Sequence, residues 1–371
     1  MATKTVRIDG EITESLGGLA VRATRLRGGL REDVLEIELV AGSNRVIVLP
    51  DRGLGIWKMH VGGVELGWQS PVVGPVHPQF VPLGEPSGLG WLDGFDELVA
   101  RCGLVNNGAP DFHPNGRLAH GLHGRIANLP AHHVEVTLDD TAGTVTLTGV
   151  VDETRFLCHA LRMTTTLTLH AATPRLAWTD TVENRSDRHT TLQMLYHVNF
   201  GPPLLGAGAE VVVPLGELAP RDAAAAADVP TWNRYAEPQS GRGEEVHFMR
   251  LEPDAKGRAT ALLVAPEGQQ AVSLSWRTAE LPCFTLWKNQ GGLADGYVTG
   301  LEPGTNYPNP RSFEETQGRV VTLAPHASVS FDLALEHLTG AAVGVERARI
   351  AASAASTLRI DRVARPGWSR G

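Results

Sequence analysis

Short runs rich in valine, leucine, isoleucine and threonine recur along most of the chain, separated by glycine, proline, asparagine and aspartate. Such runs are typical of strands in antiparallel sheets. In residues 144–151 and 163–169, threonines alternate with apolar residues, so the two segments are expected to pair as neighbouring strands. The sequence predicts strands at residues 34–39, 45–49, 134–138, 144–151, 161–169, 175–183, 190–196, 259–264, 271–276, 283–288, 320–323 and 328–335.

Helix-length amphipathic patterns are scarce before residue 340. A sheet must bury its apolar face, and without helices the covering layer is a second sheet. The sequence therefore predicts an all-β fold, a large antiparallel β-sandwich built from residues 1–340 as a single domain. Residues 341–371 are rich in Ala, Ser and Arg and are expected to form a C-terminal tail or a short docked helix, with the composition favouring the tail.

The strand pattern thins at residues 68–118 and 201–248, which carry many Gly, Pro and Trp residues in the first case and an alanine run in the second. Connections of this length are uncommon unless they cover a site or are mobile. We expect both segments to be loops over one mouth of the sandwich.

The charge balance of the 371 residues is acidic, with a formal net charge of -8 and no cluster of Lys and Arg interleaved with aromatic residues. This disfavours nucleic acid as a partner. The sequence shows no signal-peptide pattern and no apolar stretch near the ~18 residues of a membrane helix, so no membrane association and a cytoplasmic location are expected. Three widely spaced cysteines without CxxC spacing argue against a disulfide framework or a thiolate zinc site.

Glu302 follows the strand-like run 297–301 and precedes a cluster of Pro, Gly and Asn residues. A carboxylate held between a strand and a stiff turn can accept a proton if its surroundings bring its pKa toward working pH. A surface glutamate at a strand end is the alternative.

His197 follows the predicted strand 190–196 and precedes a strong stop signal at Pro202-Pro203. The near-neutral pKa of histidine suits a general acid. A satisfied core histidine is the alternative.

His120 and His123 flank Gly121-Leu122, a spacing that in extended structure puts the two rings on opposite faces. Gly124 favours His123 as the ligand contact, because a residue without a side chain lets a ligand approach the backbone. His120, His123 and His197 could instead ligate zinc or iron. HxxH in an all-β chain, however, lacks the spacing of helical metal motifs.

Other polar residues stand near aromatic residues or at turns, as in carbohydrate sites that combine apolar walls with a few polar groups. Asp93 lies between Trp91 and Phe95, and Asn107 follows a short apolar run. Trp287 closes the predicted strand 283–288 beside Lys288, where it could form a platform for a sugar or cap the core.

The chain resembles the aldose 1-epimerase (galactose mutarotase-like) superfamily, and specifically a divergent aldose epimerase-like branch. The resemblance covers most of residues 30–340 and rests on His123-Gly124, on His197 with Phe200, and on the motif at 301–308. It implies a β-sandwich with the site in a groove on one face. It further implies that His123 binds sugar, that His197 is the acid toward the ring oxygen, and that Glu302 is the base for the anomeric hydroxyl. No metal or other cofactor is expected.

Two departures from the family pattern concern the pocket. Where mutarotases carry a second glycine and then an aromatic residue, this chain has Arg125-Ile126 after Gly124. Candidate counterparts of the family's sugar-binding arginine and aspartate are Asp93, Arg125 and Lys288, and further candidate contacts are His120, Asn107, Trp287 and Asn306. An oxidised or charged sugar is as compatible with this pocket as galactose or glucose.

The leading hypothesis is a cofactor-independent epimerase that interconverts sugar anomers by acid/base ring opening, with a small-molecule sugar as its partner. The alternatives are a metal-assisted lyase or isomerase acting on a keto-sugar or sugar acid, and a catalytically silent sugar-binding protein. Exposed sheet edges also allow a homodimer.

Overall fold

A computed structural model describes residues 2–355 and 357–370. Most elements are strands, and the helices are short. The strands are β1 Thr3–Arg7, β2 Ile12–Leu16, β3 Leu19–Arg25, β4 Leu35–Ala41, β5 Asn44–Leu49, β6 Gly55–Val61, β7 Val64–Leu66, β8 Val99–Leu104, β9 Asp111–Phe112, β10 Leu118–His120, β11 His133–Asp139, β12 Thr144–Arg155, β13 His159–His170, β14 Arg175–Asn184, β15 Thr190–Phe200, β16 Glu210–Val212, β17 Leu215–Pro220, β18 Glu245–Leu251, β19 Arg258–Val264, β20 Gln270–Arg277, β21 Cys283–Asn289, β22 Val298–Gly304, β23 Val321–Leu323, β24 Ser328–Thr339 and β25 Arg359–Ile360. The α-helices are α1 Ala223–Asp228, α2 Arg311–Thr316 and α3 Ala341–Ala352.

Two large sheets form the body of the protein. The smaller has nine strands in the order β1-β11-β12-β13-β14-β24-β20-β19-β16. The larger has fourteen, in the order β2-β3-β4-β5-β6-β8-β15-β22-β21-β18-β17-β25, with β7 added to β6 and β23 to β15. Neighbouring strands run antiparallel, apart from the parallel pair β17 and β25. The predicted antiparallel β-sandwich is confirmed, as is the pairing of the two threonine-rich segments in β12 and β13.

Apolar side chains from both sheets meet in one core, because alternate residues of each strand point to the same face. In β15, Tyr196, Val198 and Phe200 belong to this core. The residues between them lie on the outer face of the large sheet, where Leu195 packs in a separate cluster with Trp91 and other side chains. Residues of the segment 68–118 therefore cover this outer face and not a mouth of the sandwich.

Several predicted boundaries need correction. The segment 68–118 contains β8, a central strand that pairs with β15, so it is not entirely a loop. His197 lies inside β15 and Glu302 inside β22, whereas the sequence placed both at strand ends. The one-domain division of residues 1–340 stays a prediction.

The C-terminal segment forms a helix and not the expected tail over residues Ala341–Ala352. Val343 and Ile350, seven residues apart and thus on one helix face, are buried against β19 and β20 residues such as Leu262. The sequence pattern indicates this helix only weakly, because Val343 and Ile350 are its only buried side chains in the described part of the chain. No helix in the described part of the chain is both long and apolar enough to cross a membrane.

A buried ion pair joins the two sheets. Arg101 in β8 donates from Nε and Nη2 to the carboxylate of Asp180 in β14, at 2.7 and 3.1 Å, and both side chains are buried. Asp180 also accepts from the hydroxyl groups of Thr165 at 2.5 Å and Tyr196 at 2.8 Å. The carboxylate is thus surrounded by donors from three strands besides its own.

We expect Arg101→Met to lower the free energy of unfolding by roughly 3–5 kcal/mol, because it leaves the buried Asp180 carboxylate without its cation. Urea-induced unfolding followed by circular dichroism measures the change. Arg277→Met is a matched control that removes an exposed ion pair, Arg277 Nε to Asp332 at 3.2 Å, and should cost less than about 1 kcal/mol. Equal losses in the two variants would contradict this account.

Candidate functional site

Three adjacent strands in the middle of the large sheet, β15, β22 and β21, carry His197, Glu302 and Thr285. Thr285 lies opposite Glu302 in the β21–β22 pairing. The register of β15 with β22, in which Val198 faces Leu301, brings His197 beside Glu302. Directly opposed residues share one face of a sheet, so the three side chains form a row on the outer face.

A cavity of about 280 Å³ lies over this row. Its walls are largely aromatic and apolar, and Trp91, Phe95, Leu122 and Trp287 contribute to them. The ring centres of Phe95 and Trp287 lie 5.0 and 5.2 Å from that of His197. The volume is near the lower end of the ~300–1,000 Å³ typical of small-molecule sites, so the cavity suits a compact ligand.

The hydrogen bonds of Asn199 fix the tautomer of His197. The Asn199 amide nitrogen donates to the backbone carbonyls of Glu97 and His197, each at 3.0 Å, which leaves its oxygen as an acceptor. His197 Nδ1 lies 2.5 Å from that oxygen and must therefore carry the proton. In the neutral ring, Nε2 is then the unprotonated nitrogen.

Glu302 Oε1 lies 3.2 Å from His197 Nε2, and the two side chains are 2% and 6% exposed. The distance is that of an ion pair, yet Oε1 has no partner in hydrogen-bond geometry among the described residues. The two side chains are thus in contact, but they are not aligned as a hydrogen-bonded pair. The two groups are close enough to act on one ligand without being locked to each other.

Burial changes the protonation of both groups. Burial lowers the pKa of His197 to about 3, and the neighbouring His123 lowers it further while the bond to Asn199 opposes the shift. Burial also raises the pKa of Glu302 well above its usual value, and the nearby Glu244 adds to this. Both groups are therefore driven toward their neutral forms, and a pKa perturbed in a cleft is a common mark of a functional site.

Further polar atoms at this cavity lack partners among residues 2–355 and 357–370. The Thr285 hydroxyl and the Trp91 indole nitrogen are both buried without a hydrogen bond, as is Glu302 Oε1. Buried polar groups are almost always paired, so three unpaired ones lining one cavity indicate a place where a ligand supplies the bonds.

His123 reaches the cavity from a left-handed backbone conformation with φ of 56°. Its Nδ1 lies 2.8 Å from the backbone carbonyl of Asn107, which can only accept, so Nδ1 carries the proton and Nε2 is an acceptor. Burial lowers the pKa of His123 to about 4, which keeps the ring neutral at physiological pH.

Gly300 leaves room for the side chains of Glu302 and His197. A Cβ atom at this position would lie 2.5 Å from Glu302 Oε1 and 3.1 Å from His197 Cε1. Any side chain here would displace one of the two groups, so the absence of a side chain in β22 is part of the site.

A polar rim completes the cavity. Arg221 Nη2 donates to Glu244 at 2.8 Å, and the Trp287 indole nitrogen donates to the other oxygen of the same carboxylate at 2.7 Å. Arg221 and Glu244 lie within the segment 201–248, which the sequence predicted to cover a site, and both line the cavity.

The structure brings His123, His197, Trp287 and Glu302 together at this cavity and places the other predicted contacts elsewhere. Asn107 and Asn306 are fully buried and exchange two amide hydrogen bonds, each 2.9 Å long, so their side chains bind each other and do not line the cavity.

Lys288 lies on the opposite face of β21 from Trp287. It is fully buried and donates to Asp228 at 2.5 Å. Asp93 is exposed in the short turn Gly90–Gly94, outside the lining of the cavity. His120 and Arg125 line a second cavity.

Sequence reasoning missed Trp91, Phe95, Asn199, Arg221, Glu244 and Thr285 as parts of the site. Strict alternation offered a signal for two of them. Thr285 is two residues from Trp287, and Asn199 two from His197, so each pair shares a face of its strand. Arg221 and Glu244 carried no such signal.

The histidines do not converge as a metal site. His120 lines a different cavity from His123 and His197. Within the part of the chain that the structure describes, no group of three or more His, Cys, Asp or Glu side chains is arranged to hold a metal ion.

Solved structures share this architecture. A protein from Klebsiella pneumoniae subsp. pneumoniae MGH 78578, named a putative aldose 1-epimerase, is 30% identical; the match covers 97% of this chain and 98% of that chain, with a TM-score of 0.93. A galactose mutarotase-like protein from Clostridium acetobutylicum is 17% identical over 87% of this chain and 99% of its own, with a TM-score of 0.59.

The fold is thus that of the galactose mutarotase-like proteins, which confirms the resemblance found in the sequence. The chain belongs to the family described as a domain of unknown function, DUF4432, whose sequence profile matches residues 32–337. A comparison with curated proteins found no match.

We expect Glu302→Gln to stabilise the protein at neutral pH and not at pH 4. The pKa of Glu302 is raised in the folded state above its ordinary value of 4.5, so the wild-type protein loses stability as pH rises above that value. Glutamine does not titrate. The difference in unfolding free energy should therefore grow by up to ~1.4 kcal/mol per pH unit until the folded-state pKa is reached.

Urea-induced unfolding between pH 4 and pH 8 measures this difference. Glu267→Gln, at an exposed position in a turn, is the matched control and should show no pH-dependent gain. A constant difference for Glu302→Gln across the range would show that the carboxyl group has an ordinary pKa.

Proposed function

We propose that the protein is a cofactor-independent carbohydrate epimerase that interconverts the anomers of a small sugar. The observation that carries the proposal is the buried pair of His197 and Glu302, 3.2 Å apart at an aromatic cavity. The similarity to the Klebsiella pneumoniae protein named a putative aldose 1-epimerase supports it.

Anomer exchange requires a base at the anomeric hydroxyl and an acid at the ring oxygen. Glu302 takes the hydroxyl proton, and His197 gives its Nε2 proton to the ring oxygen. The bond between the anomeric carbon and the ring oxygen breaks, its electron pair stays on that oxygen, and the anomeric carbon becomes a carbonyl. Rotation presents the other carbonyl face, and the reversed transfers close the ring with inverted configuration.

This cycle needs only one transferable proton, shared between His197 Nε2 and the carboxyl group of Glu302. A charged pair, with imidazolium and carboxylate, contains as many protons as the neutral pair that burial favours. A sugar hydroxyl that donates to Glu302 Oε1 supplies the hydrogen bond that this atom lacks, and such a bond favours the carboxylate. Ligand binding thereby prepares the base.

The remaining groups suit the binding of a polyhydroxylated ring. His123 Nε2 accepts from a hydroxyl group, while the Thr285 hydroxyl and the Trp91 indole nitrogen are donors without a partner among the described residues. Trp287 is held by Glu244 and offers a flat apolar surface to the C–H face of a sugar. A small-molecule sugar is therefore the proposed partner.

We expect Glu302→Gln and His197→Gln each to slow anomer equilibration by about 10²- to 10⁴-fold, because each removes one proton-transfer group. Polarimetry and exchange NMR on freshly dissolved neutral, acidic and keto sugars, with a chelator present, measure the rate. Glu267→Gln serves as the matched control, and circular dichroism checks the fold.

Full activity in either site variant would overturn the assigned roles. Activity that the chelator removes would favour a metal-assisted enzyme instead. Sugar binding without acceleration of any anomer would indicate a sugar-binding protein.

Asn199 is a positioning residue that acts through His197. We expect Asn199→Ala to lower kcat by about 10- to 100-fold, the range for partners that orient functional histidines, with less effect on KM. NMR of the protein with ¹⁵N-labelled histidine should show His197 with the proton on Nδ1 in the wild type and a mixture of tautomers in the variant. An unchanged tautomer in the variant would contradict this role.

A further inference from the structure

A second cavity, of about 590 Å³, adjoins the candidate functional site. Trp91 and Leu122 contribute to the walls of both cavities. The segment 120–125 contributes side chains to both cavities. His123 lines the first cavity, and His120 and Arg125 line the second. The cavities are therefore separated by only a few side chains.

The second cavity is lined by groups that bind anions. Arg125 and Arg155 line it, and neither makes a side-chain hydrogen bond or ion pair within residues 2–355 and 357–370. Two imidazoles, of His120 and His159, lie in the same lining. Nε2 of His159 is buried without a hydrogen-bond partner in this part of the chain.

One acidic residue, Glu153, lines this cavity in the described chain. Its carboxyl group is already engaged, because it accepts the backbone N–H of Leu104 at 2.7 Å. Burial raises the pKa of Glu153, while the bond from Leu104 and the nearby Arg125 oppose the shift. The two exposed guanidinium groups outnumber this single carboxyl group, so the cavity lining carries a positive net charge in a chain whose net charge is -8. Such a local reversal of charge attracts anions that the rest of the surface repels.

A second segment, residues 83–92, also contributes to the walls of both cavities. Leu83, Gly84 and Gly88 line the second cavity, and Leu89 and Leu92 line the first. Since Trp91 and Leu122 also line both cavities, a ligand in the first cavity that extends past these two side chains would contact the second. Guanidinium groups bind carboxylate and phosphate through paired hydrogen bonds, which makes them suited to the charged end of such a ligand.

We propose that the second cavity binds the anionic group of an acidic sugar, a carboxylate, sulfonate or phosphate ester, whose ring is processed at His197 and Glu302. This inference rests on the proposed function and adds the class of its substrate. Arg125 and Arg155 are the anion-binding residues. Arg125, expected from the sequence to bind substrate, does so in this proposal from the neighbouring cavity.

The test compares the wild type with the double variant Arg125→Gln/Arg155→Gln. The kcat/KM for anomer exchange is measured with glucuronate, glucose 6-phosphate and 6-sulfonated glucose, each relative to glucose. We expect the wild type to prefer one acidic sugar and the double variant to lose about 10- to 100-fold of that preference, since hydrogen bonds to charged groups are lost. Arg22→Gln/Arg277→Gln, with two exposed arginines changed elsewhere, is the matched control and should keep the preference.

Calorimetric titration with the same sugars and with inorganic phosphate separates this inference from the proposed function. Binding of an acidic sugar that the double variant loses, without anomer exchange in any protein, would uphold the anion site and overturn the epimerase. Anomer exchange with equal preference in the wild type and the double variant would overturn the anion site and leave the epimerase standing. Binding of phosphate without preference for an acidic sugar would overturn the substrate assignment.

Discussion

The ion pair of Arg101 and Asp180 fixes the position of the sheet that carries the site. Arg101 and Tyr196 are cross-strand partners in β8 and β15, and both reach through the core to Asp180 on the opposite sheet. The next residue along β15 is His197, on the outer face. A purely apolar contact would let the two sheets slide past each other. Two hydrogen bonds from the Arg101 guanidinium and one from the Tyr196 hydroxyl, all to the Asp180 carboxylate, fix their relative position because hydrogen bonds are directional. These bonds fix the position of β15 relative to the opposite sheet, and β15 carries His197 on its outer face.

A second buried pair holds the covering segment over the outer face. Arg52 Nε donates to Glu97 at 2.5 Å, and its other nitrogens donate to the carbonyls of Val76 and Gly94 and to the side chain of Asn128. The backbone carbonyl of Glu97 in turn accepts from Asn199, the residue that fixes the tautomer of His197. The position of the covering segment and the tautomer of His197 are thus coupled through a single peptide group.

The fold could be predicted because its signal is local. Alternation and turn residues identified neighbouring strands of the nine-stranded sheet, β12, β13, β14 and β24, to within a few residues. They did not identify β8, which lies in a segment rich in Gly and Pro. The proton-transfer candidates could be named from their neighbourhood, and the structure places His197 and Glu302 side by side. Their distance follows from the pairing of β15 with β22, which sequence spacing does not encode.

The errors in the predicted site also arise from contacts and backbone geometry that sequence spacing does not encode. Lys288 and Trp287 are one residue apart, so they lie on opposite faces of β21, and the partner that explains the buried lysine, Asp228, is 60 residues away. The carbonyl that orients His123 belongs to Asn107, and the positive φ of His123 turns its ring away from His120. The positions of the Lys288 and His123 side chains thus depend on partners that are distant in sequence and, for His123, on an unusual backbone φ angle.

The proposed acid and base lie on rigid strands, whereas most other groups at the cavity lie on the segments that cover them. Adjacent strands are held about 4.7–4.9 Å apart by their backbone hydrogen bonds, so the distance from His197 to Glu302 depends little on the loops. Arg221, Glu244 and Trp91 come from connections between strands, where substitution is tolerated more easily. In the proposed epimerase, the choice of sugar can therefore change through these segments while the geometry of proton transfer stays constant. The unpaired polar atoms at the cavity are the cost of this arrangement, because a ligand can bond only to groups that the protein leaves free.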